Sequence, residues 1–256
     1  GYELALVGGP VRDLLLHRKS HDLDFCSSAR PEQFEPILRR WGHDGFWDMG
    51  RKFGTLGAMR RRPDGTEVKV EVTTYRSDTY DPDSRKPEVN YGDTLEGDLS
   101  RRDFTVNAIA QDADGALVDP FNGRADIAAR VLRHVSPAFS EDPVRILRGA
   151  RFLARFAPLG FSVADETLAL MRGMVDAGEV DHLVAERVWA ETVRALGEPG
   201  PGQFIRTLRD CGALARIFPE LERLFGVPQP PVHHPEIDTG LHTLLALEQA
   251  VRLNAD

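Results

Sequence analysis

Cysteine is nearly absent: Cys26 and Cys211 are the only two in 256 residues, and they lie far apart. That excludes a disulfide scaffold and any closely spaced Cys metal motif, and it fits a reducing, cytoplasmic setting. Long apolar runs are missing too. None approaches the ~18 residues of a membrane span, and no targeting leader is read at the start, so no membrane partner is expected. Positive charge is in deficit, with 32 Lys and Arg against 40 Asp and Glu and a formal charge of −8. Such a total argues against indiscriminate binding of polyanions. Internal repeats and low-complexity tracts are also lacking, which sets aside solenoids and wholesale disorder.

What remains is an ordinary globular composition, 41% hydrophobic and 28% charged. The length suits one large or two modest domains with a substantial core. Charge is unevenly spread. Between Arg124 and Arg155 seven arginines meet three acids, a local +4 that leaves −12 for the rest. An acidic chain can hold a phosphate backbone on such a surface.

The first half reads as mixed α and β. Leu4-Ala5-Leu6-Val7 is a strand that stops at Gly8-Gly9, and Pro10 suits the first turn of a helix carrying Val11, Leu14 and Leu15. Asp22-Leu23-Asp24-Phe25 alternates as a half-buried strand does, and Phe34 to Trp41 reads as a helix. Two further strands, Thr55 to Met59 and Val68 to Val72, flank the turn Pro63-Asp64-Gly65. Ser77 to Asn90 is polar and reads as a long mobile loop. Beyond Pro143 apolar positions recur at helical spacing.

Several clusters carry chemistry. The Gly8-Gly9 turn before a helix with Arg12 suits phosphate, since glycines allow close approach and the helix start offers free N–H groups; alone it is weak, and the alternative is a plain structural turn. Asp22 and Asp24, two apart, share a strand face. Paired carboxylates repel unless a cation lies between them, so the pair reads as a magnesium site or as a solvated edge strand. Glu71 shares its face with Lys69 and Thr73, as a third carboxylate or as a surface partner of Lys69. In Arg101-Arg102-Asp103-Phe104-Thr105-Val106-Asn107, Asp103 and Asn107 share a helix face able to hold a ribose, with Arg102 suited to phosphate. The alternative makes Asp103 a helix cap with solvated arginines. Glu141-Asp142-Pro143-Val144-Arg145 opens a helix with Asp142 as cap. Arg145, Arg148, Arg151 and Arg155 then line one face and Ile146, Ala150 and Leu153 another, with no acids mixed into the arginine face.

Taken together, LVGGPVRDLLL, HDLDF, GDLSRRDFTVNA, VDPFNG and EDPVRILRGARFLARF resemble the class II tRNA nucleotidyltransferases, the bacterial CCA-adding enzymes whose relatives include bacterial poly(A) polymerases. Each motif is weak alone; five in order, from about Leu4 to His242, are specific. The resemblance implies an α+β fold: a polymerase β-like nucleotidyltransferase head with a mixed sheet over 1–135, an all-α neck and body over 136–228, and over 229–256 a linker and the start of an HD-type region. It implies addition of C, C and A to the 3′ end of tRNA from CTP and ATP without a nucleic-acid template, with two Mg2+ ions. A poly(A) polymerase, a partial CC- or A-adding enzyme, and a non-catalytic RNA-binding module are the alternatives. Oligomeric state stays open.

By the same resemblance Asp22 and Asp24 hold metal, with Glu71 as third carboxylate, and Gly8, Gly9 and Arg12 form the triphosphate turn. Arg102, Asp103 and Asn107 select the ribose and its phosphate. Glu141, Asp142 and Arg145, with Arg148 beside them, template the base, because a carboxylate accepts from an exocyclic amine and a guanidinium donates to ring nitrogen or carbonyl. Arg85 and Lys86, in a stretch resembling the family's flexible loop, together with Arg130, Arg133, Arg151 and Arg155, contact RNA. Two departures stand out. Asn122 replaces a glycine common in the family, and HHPEIDTGLHT resembles relatives with a C-terminal HD phosphohydrolase domain. His233, His234, Glu236, Asp238 and His242 within it read as a polar linker rather than a closed metal site.

Overall fold

The computed structural model describes residues 1–20, 22–80, 87–92 and 94–253. It divides into two units, Gly1–Ala129 with His134–Glu141, and Arg130–Arg133 with Asp142–Asp256. In the head unit the strands in chain order are β1 (Leu4–Val7), β2 (Asp22–Ser27), β3 (Gly45–Trp47), β4 (Thr55–Arg61), β5 (Glu67–Thr74), β6 (Arg76–Tyr80), β7 (Pro87–Tyr91), β8 (Ala110–Gln111) and β9 (Leu117–Val118). Its helices are α1 (Gly9–Leu15), α2 (Pro31–Trp41), α3 (Leu95–Ser100) and α4 (Gly123–Ala129).

Seven strands form one mixed sheet in the order β3-β4-β5-β2-β1-β8-β9. Only β2 and β5 run parallel, which puts Asp22 opposite Lys69 and Asp24 opposite Glu71. Alternation along these strands divides the faces. Leu56, Ala58, Val70 and Val72 pack under Phe34 and Leu38 of α2, with Leu23, Phe25 and Phe46 at the margin. Side chains of opposite parity, Trp47, Lys69, Glu71, Asp22 and Asp24, therefore stand on the other face. At the far end of that face Cys26 enters a second core with Ala5, Val7, Tyr75 and Leu99.

The two ends of the polar stretch Ser77 to Asn90 depart from its reading as a loop. Arg76–Tyr80 and Pro87–Tyr91 pair as an antiparallel two-stranded sheet of their own. Ladder bonds come from the backbone, so polar sequence does not prevent a strand where Thr, Tyr and Val supply β propensity. Arg85 and Lys86 lie outside the described residues.

The second unit contains β10 (Val131–Leu132), α5 (Val144–Phe156), β11 (Ser162–Val163), α6 (Asp165–Asp176), α7 (Ala185–Leu196), α8 (Pro201–Asp210), α9 (Ala213–Ile217), α10 (Pro219–Glu222) and α11 (Thr239–Leu253). Strands β10 and β11 pair in parallel, and α5 packs against α7 and α8. Ile146, Leu147, Ala150, Phe156, Phe204 and Leu208 are all buried. The stretch 229–256, expected as a linker and the start of an HD-type region, carries a helix of 15 residues, α11, packed on α8. Asp238 caps it, accepting from Leu241 N at 2.8 Å. Among the described residues no helix is long and apolar enough to cross a membrane.

Candidate active site

Strands β2 and β5 meet at the row that joins Asp24 to Glu71, and a cleft here is lined by Asp22, Leu23, Asp24, Trp47, Lys69 and Glu71. The Asp24 carboxyl is pushed above the usual carboxylate range, first by burial and then by Glu71, with Asp22 adding to it; Arg102 and Arg12 pull the other way. Glu71 does not need Lys69 as its partner: Trp47 Nε1 donates to Glu71 Oε1 at 3.0 Å. Three carboxylates crowded at one sheet face, one of them penalised for its charge, are the chemistry of a site that takes a cation. An all-oxygen donor set of this kind suits hard Mg2+. The residues present thus fit the ion expected from the sequence.

Beside the carboxylates, Gly8 turns the chain from β1 into α1 with φ 71°. Its amide is spent internally, donating to Ile109 O at 3.2 Å. What Gly8 supplies is space, since a Cβ there would lie 2.9 Å from Arg102 Nη1. Arg12 is buried and anchored, with Nε and Nη2 donating to Asp13 Oδ1 at 3.0 and 2.9 Å and Nη1 donating to Asn107 Oδ1. Asn107 Nδ2 in turn donates to Asp103 Oδ1 at 2.9 Å. A continuous polar chain, Asp13–Arg12–Asn107–Asp103, therefore joins the glycine turn to the expected ribose pair. The structure brings Asp103 and Asn107 together but not on a helix face. Phe104 is extended and Thr105–Asn107 form a single 3-10 turn, so a tight turn replaces the four-residue helical spacing. Nor are Arg101 and Arg102 solvated: both bind the buried Asp98, at 2.6 and 3.0 Å. The Asp98 carboxyl is held below its ordinary range because the two arginines override the opposing effect of burial. Arg102 Nε is buried without a hydrogen-bond partner.

The residues expected to read the base belong to different units. Glu141 closes the 3-10 turn Pro137–Glu141 in the head, whereas Asp142 and Arg145 open the helical unit. Asp142 Oδ1 accepts from Val144 N at 3.1 Å, the cap expected of it. Its other oxygen accepts from Arg187 Nη2 at 2.6 Å. Nothing in the sequence pointed to Arg187, which lies 45 residues on; only the fold brings α7 alongside.

The arginine face of α5 requires correction. Arg145 and Arg151 are buried, and α5 is covered on almost every side. Arg151 Nε donates to Glu191 Oε2 at 2.6 Å, with Glu198 3.8 Å away. The acids absent from α5 itself come from α7 and the turn after it. Arg148 lies over the Phe152 ring, 5.7 Å from its centre. Arg155 is half-buried. Arg133 pairs with Glu166, and Arg130, held at φ 58°, donates to Leu159 O. The +4 segment is thus largely tied into its own fold and is not a bare basic strip. Further on, His242 Nδ1 bonds Glu236, and His234 completes a group whose candidate ligand atoms all lie within 4.8 Å of one another; Asp238 is spent as the α11 cap.

Residues 4–133 match the family model described as the Poly A polymerase head domain, and residues 160–225 match the probable RNA and SrmB-binding site of polymerase A. The Multifunctional CCA protein of Methylococcus capsulatus is 56% identical over 254 residues, covering 98% of this chain and 57% of that protein. The chain thus spans less than two thirds of the length of this relative. The crystal structure of the Bacillus stearothermophilus CCA-adding enzyme in complex with CTP is 35% identical, with a TM-score of 0.69 over 83% of this chain and 49% of that one. The Thermotoga maritima CCA-adding enzyme complexed with tRNA is 29% identical, with a TM-score of 0.69 over 86% of this chain and 49% of that one. With its mixed sheet, its three gathered carboxylates and a head model spanning half its length, this chain belongs to the poly(A) polymerase head-domain family.

Proposed function

We propose that the chain is the nucleotidyl-transferring part of a CCA-adding enzyme, which extends the 3′ end of tRNA with C, C and A from CTP and ATP in the cytoplasm. The observation that carries this reading is the convergence of Asp22, Asp24 and Glu71 on one sheet face. A module that only binds RNA has no use for carboxylates that repel one another. The names of the relatives, and the CTP and tRNA complexes of the solved neighbours, support the choice of substrates.

Asp22, Asp24 and Glu71 would hold the Mg2+ ions. The chemistry that magnesium supplies when bound is activation of the 3′ hydroxyl and neutralisation of the departing pyrophosphate. The rest falls to this chain's own groups. Gly8 and Gly9 leave room for the triphosphate at the start of α1. Arg12, fixed by Asp13 and Asn107, brings a pre-organised positive charge there. Asp103 and Asn107 recognise the ribose, and Asp142 and Arg145 read the edges of C and A, both of which carry an exocyclic amine.

The test is incorporation of each labelled nucleoside triphosphate onto a tRNA lacking its 3′ end, by the parent and by Asp22→Ala and Asp24→Ala. Ordered addition of C, C and A by the parent, and none by either variant while tRNA binding persists, is expected. Runs of A alone would make it a poly(A) polymerase; turnover by Asp24→Ala within a few-fold of the parent would remove the metal assignment.

A further inference from the structure

One row of the sheet runs through four strands. Trp47 of β3 lies opposite Gly57 of β4, Gly57 opposite Glu71 of β5, and Glu71 opposite Asp24 of β2. Adjacent strands are about 4.8 Å apart, so Trp47 stands about 10 Å from Glu71, with β4 between them. The position between them carries no side chain. A Cβ at Gly57 would collide with the Trp47 ring atoms Cε2, Nε1 and Cζ2. The indole therefore lies across the bare backbone of β4 and reaches the far carboxylate, where Nε1 donates to Glu71 Oε1 at 3.0 Å. An indole nitrogen only donates, so this contact requires an acceptor oxygen. Lys69 sits opposite Asp22, two residues along β5 from Glu71, and Trp47 is a polar partner of Glu71.

A glutamate on an open strand has three side-chain torsions free to scatter its carboxylate. Anchoring one oxygen confines the other, and confinement is what a ligand to a cation needs before the cation arrives. We infer that Trp47 is a positioning residue, which holds Glu71 as the third carboxylate of the divalent-cation site, and that Gly57 is the gap through which the indole reaches it. This rests on the nucleotidyl-transfer reading above.

Mn2+ binding to the full chain, followed without substrate by the electron paramagnetic resonance of free Mn2+, tests it directly. Trp47→Phe keeps a ring and loses the donor; it is expected to weaken Mn2+ about ten-fold, the low end for a lost outer partner of a metal ligand. Glu71→Ala should weaken it at least as much, and adding Trp47→Phe to Glu71→Ala should change nothing further, because the two act as one unit. In the addition assay Trp47→Phe should lower kcat and leave KM for CTP unchanged. Parent-like Mn2+ affinity in Trp47→Phe, or an equal loss with and without Glu71, overturns the role of Trp47. If Trp47→Phe melts far below the parent, Gly57→Ala, which retains the indole and blocks its path, is judged by the same expectations. Asp24→Ala separates the two levels: undiminished Mn2+ binding there overturns the site itself, whereas loss there beside an unaffected Trp47→Phe overturns only the positioning.

Discussion

Arg151→Ala should damage the fold before it damages RNA binding. Its side chain is 9% exposed and that of Glu191 8%, with 2.6 Å between Nε and Oε2. The guanidinium also lies over the Phe152 ring, 4.7 Å from its centre. Truncation would leave Glu191 buried, with Arg194, 66% exposed and 3.7 Å away, as its cation among the described residues. Removing one partner of a buried pair costs about 3–5 kcal/mol, mostly as the penalty on the charge left behind. The exposed Arg194 offsets part of this, so about 3 kcal/mol is expected here. For a chain of this size that is a fall in Tm of about 6–12 °C. Urea unfolding of Arg151→Ala, of Glu191→Ala and of the double variant Arg151→Met/Glu191→Leu measures it. The double variant should recover most of the loss, since a well-packed apolar pair of similar volume can replace a buried ion pair at little cost. tRNA affinity per folded molecule should be unchanged, with an unchanged salt slope. A loss below about 0.5 kcal/mol, as for an ordinary surface residue, together with weakened tRNA binding, would refute the structural role and restore Arg151 to the RNA surface.

Other consequences are open to measurement. The Asp98 carboxyl is held low by Arg102 and Arg101 against its burial, so the stability it contributes is present above the unfolded carboxylate value near ~3.9 and is lost as pH falls through its folded value; Asp98→Asn should flatten acid unfolding in that window, and an unchanged profile would count against the pairing. Asp24 is the opposite case: its carboxyl is raised by burial and by Glu71, so ionisation weakens the fold as pH rises. Asp24→Asn should therefore raise Tm in metal-free buffer at neutral pH while abolishing nucleotide addition, and a lowered Tm would contradict the crowding of the three acids. Arg187→Ala releases one Asp142 oxygen and should alter the preference for C and A over U and G, with less than about 1 kcal/mol lost in stability because Arg187 is half exposed; incorporation of all four nucleotides reads this out.

Much of the head was legible because its signals are local. Alternation in Asp22-Leu23-Asp24-Phe25, the Gly-Gly turn and the run from Phe34 to Trp41 each state a strand, a turn or a helix within a few residues. Relations between strands were not legible. That Asp24 lies opposite Glu71 follows from the one parallel pairing in the sheet, and that Trp47 reaches Glu71 follows from a glycine on a strand between them. The arginines of α5 were misjudged for a similar reason: a helix can look unpaired when its acids come from α7, 40 residues later in the case of Arg151. Ser77 to Asn90 shows the limit of composition, since backbone pairing asks little of side-chain polarity.

The chain crosses between the two units three times, because Arg130–Arg133 belongs with the helices while His134–Glu141 returns to the head. That detour is anchored: Leu132 is fully buried, its carbonyl accepts from Ala164 N at 3.0 Å, and Arg133 pairs with Glu166. The halves are interleaved rather than strung in tandem, so no single cut yields two whole pieces. A body begun at Asp142 would forfeit β10 and leave β11 an unmatched edge. Grafting this head onto the body of a relative calls for three splices, with the four residues travelling alongside the helices and the eight that follow them staying with the head.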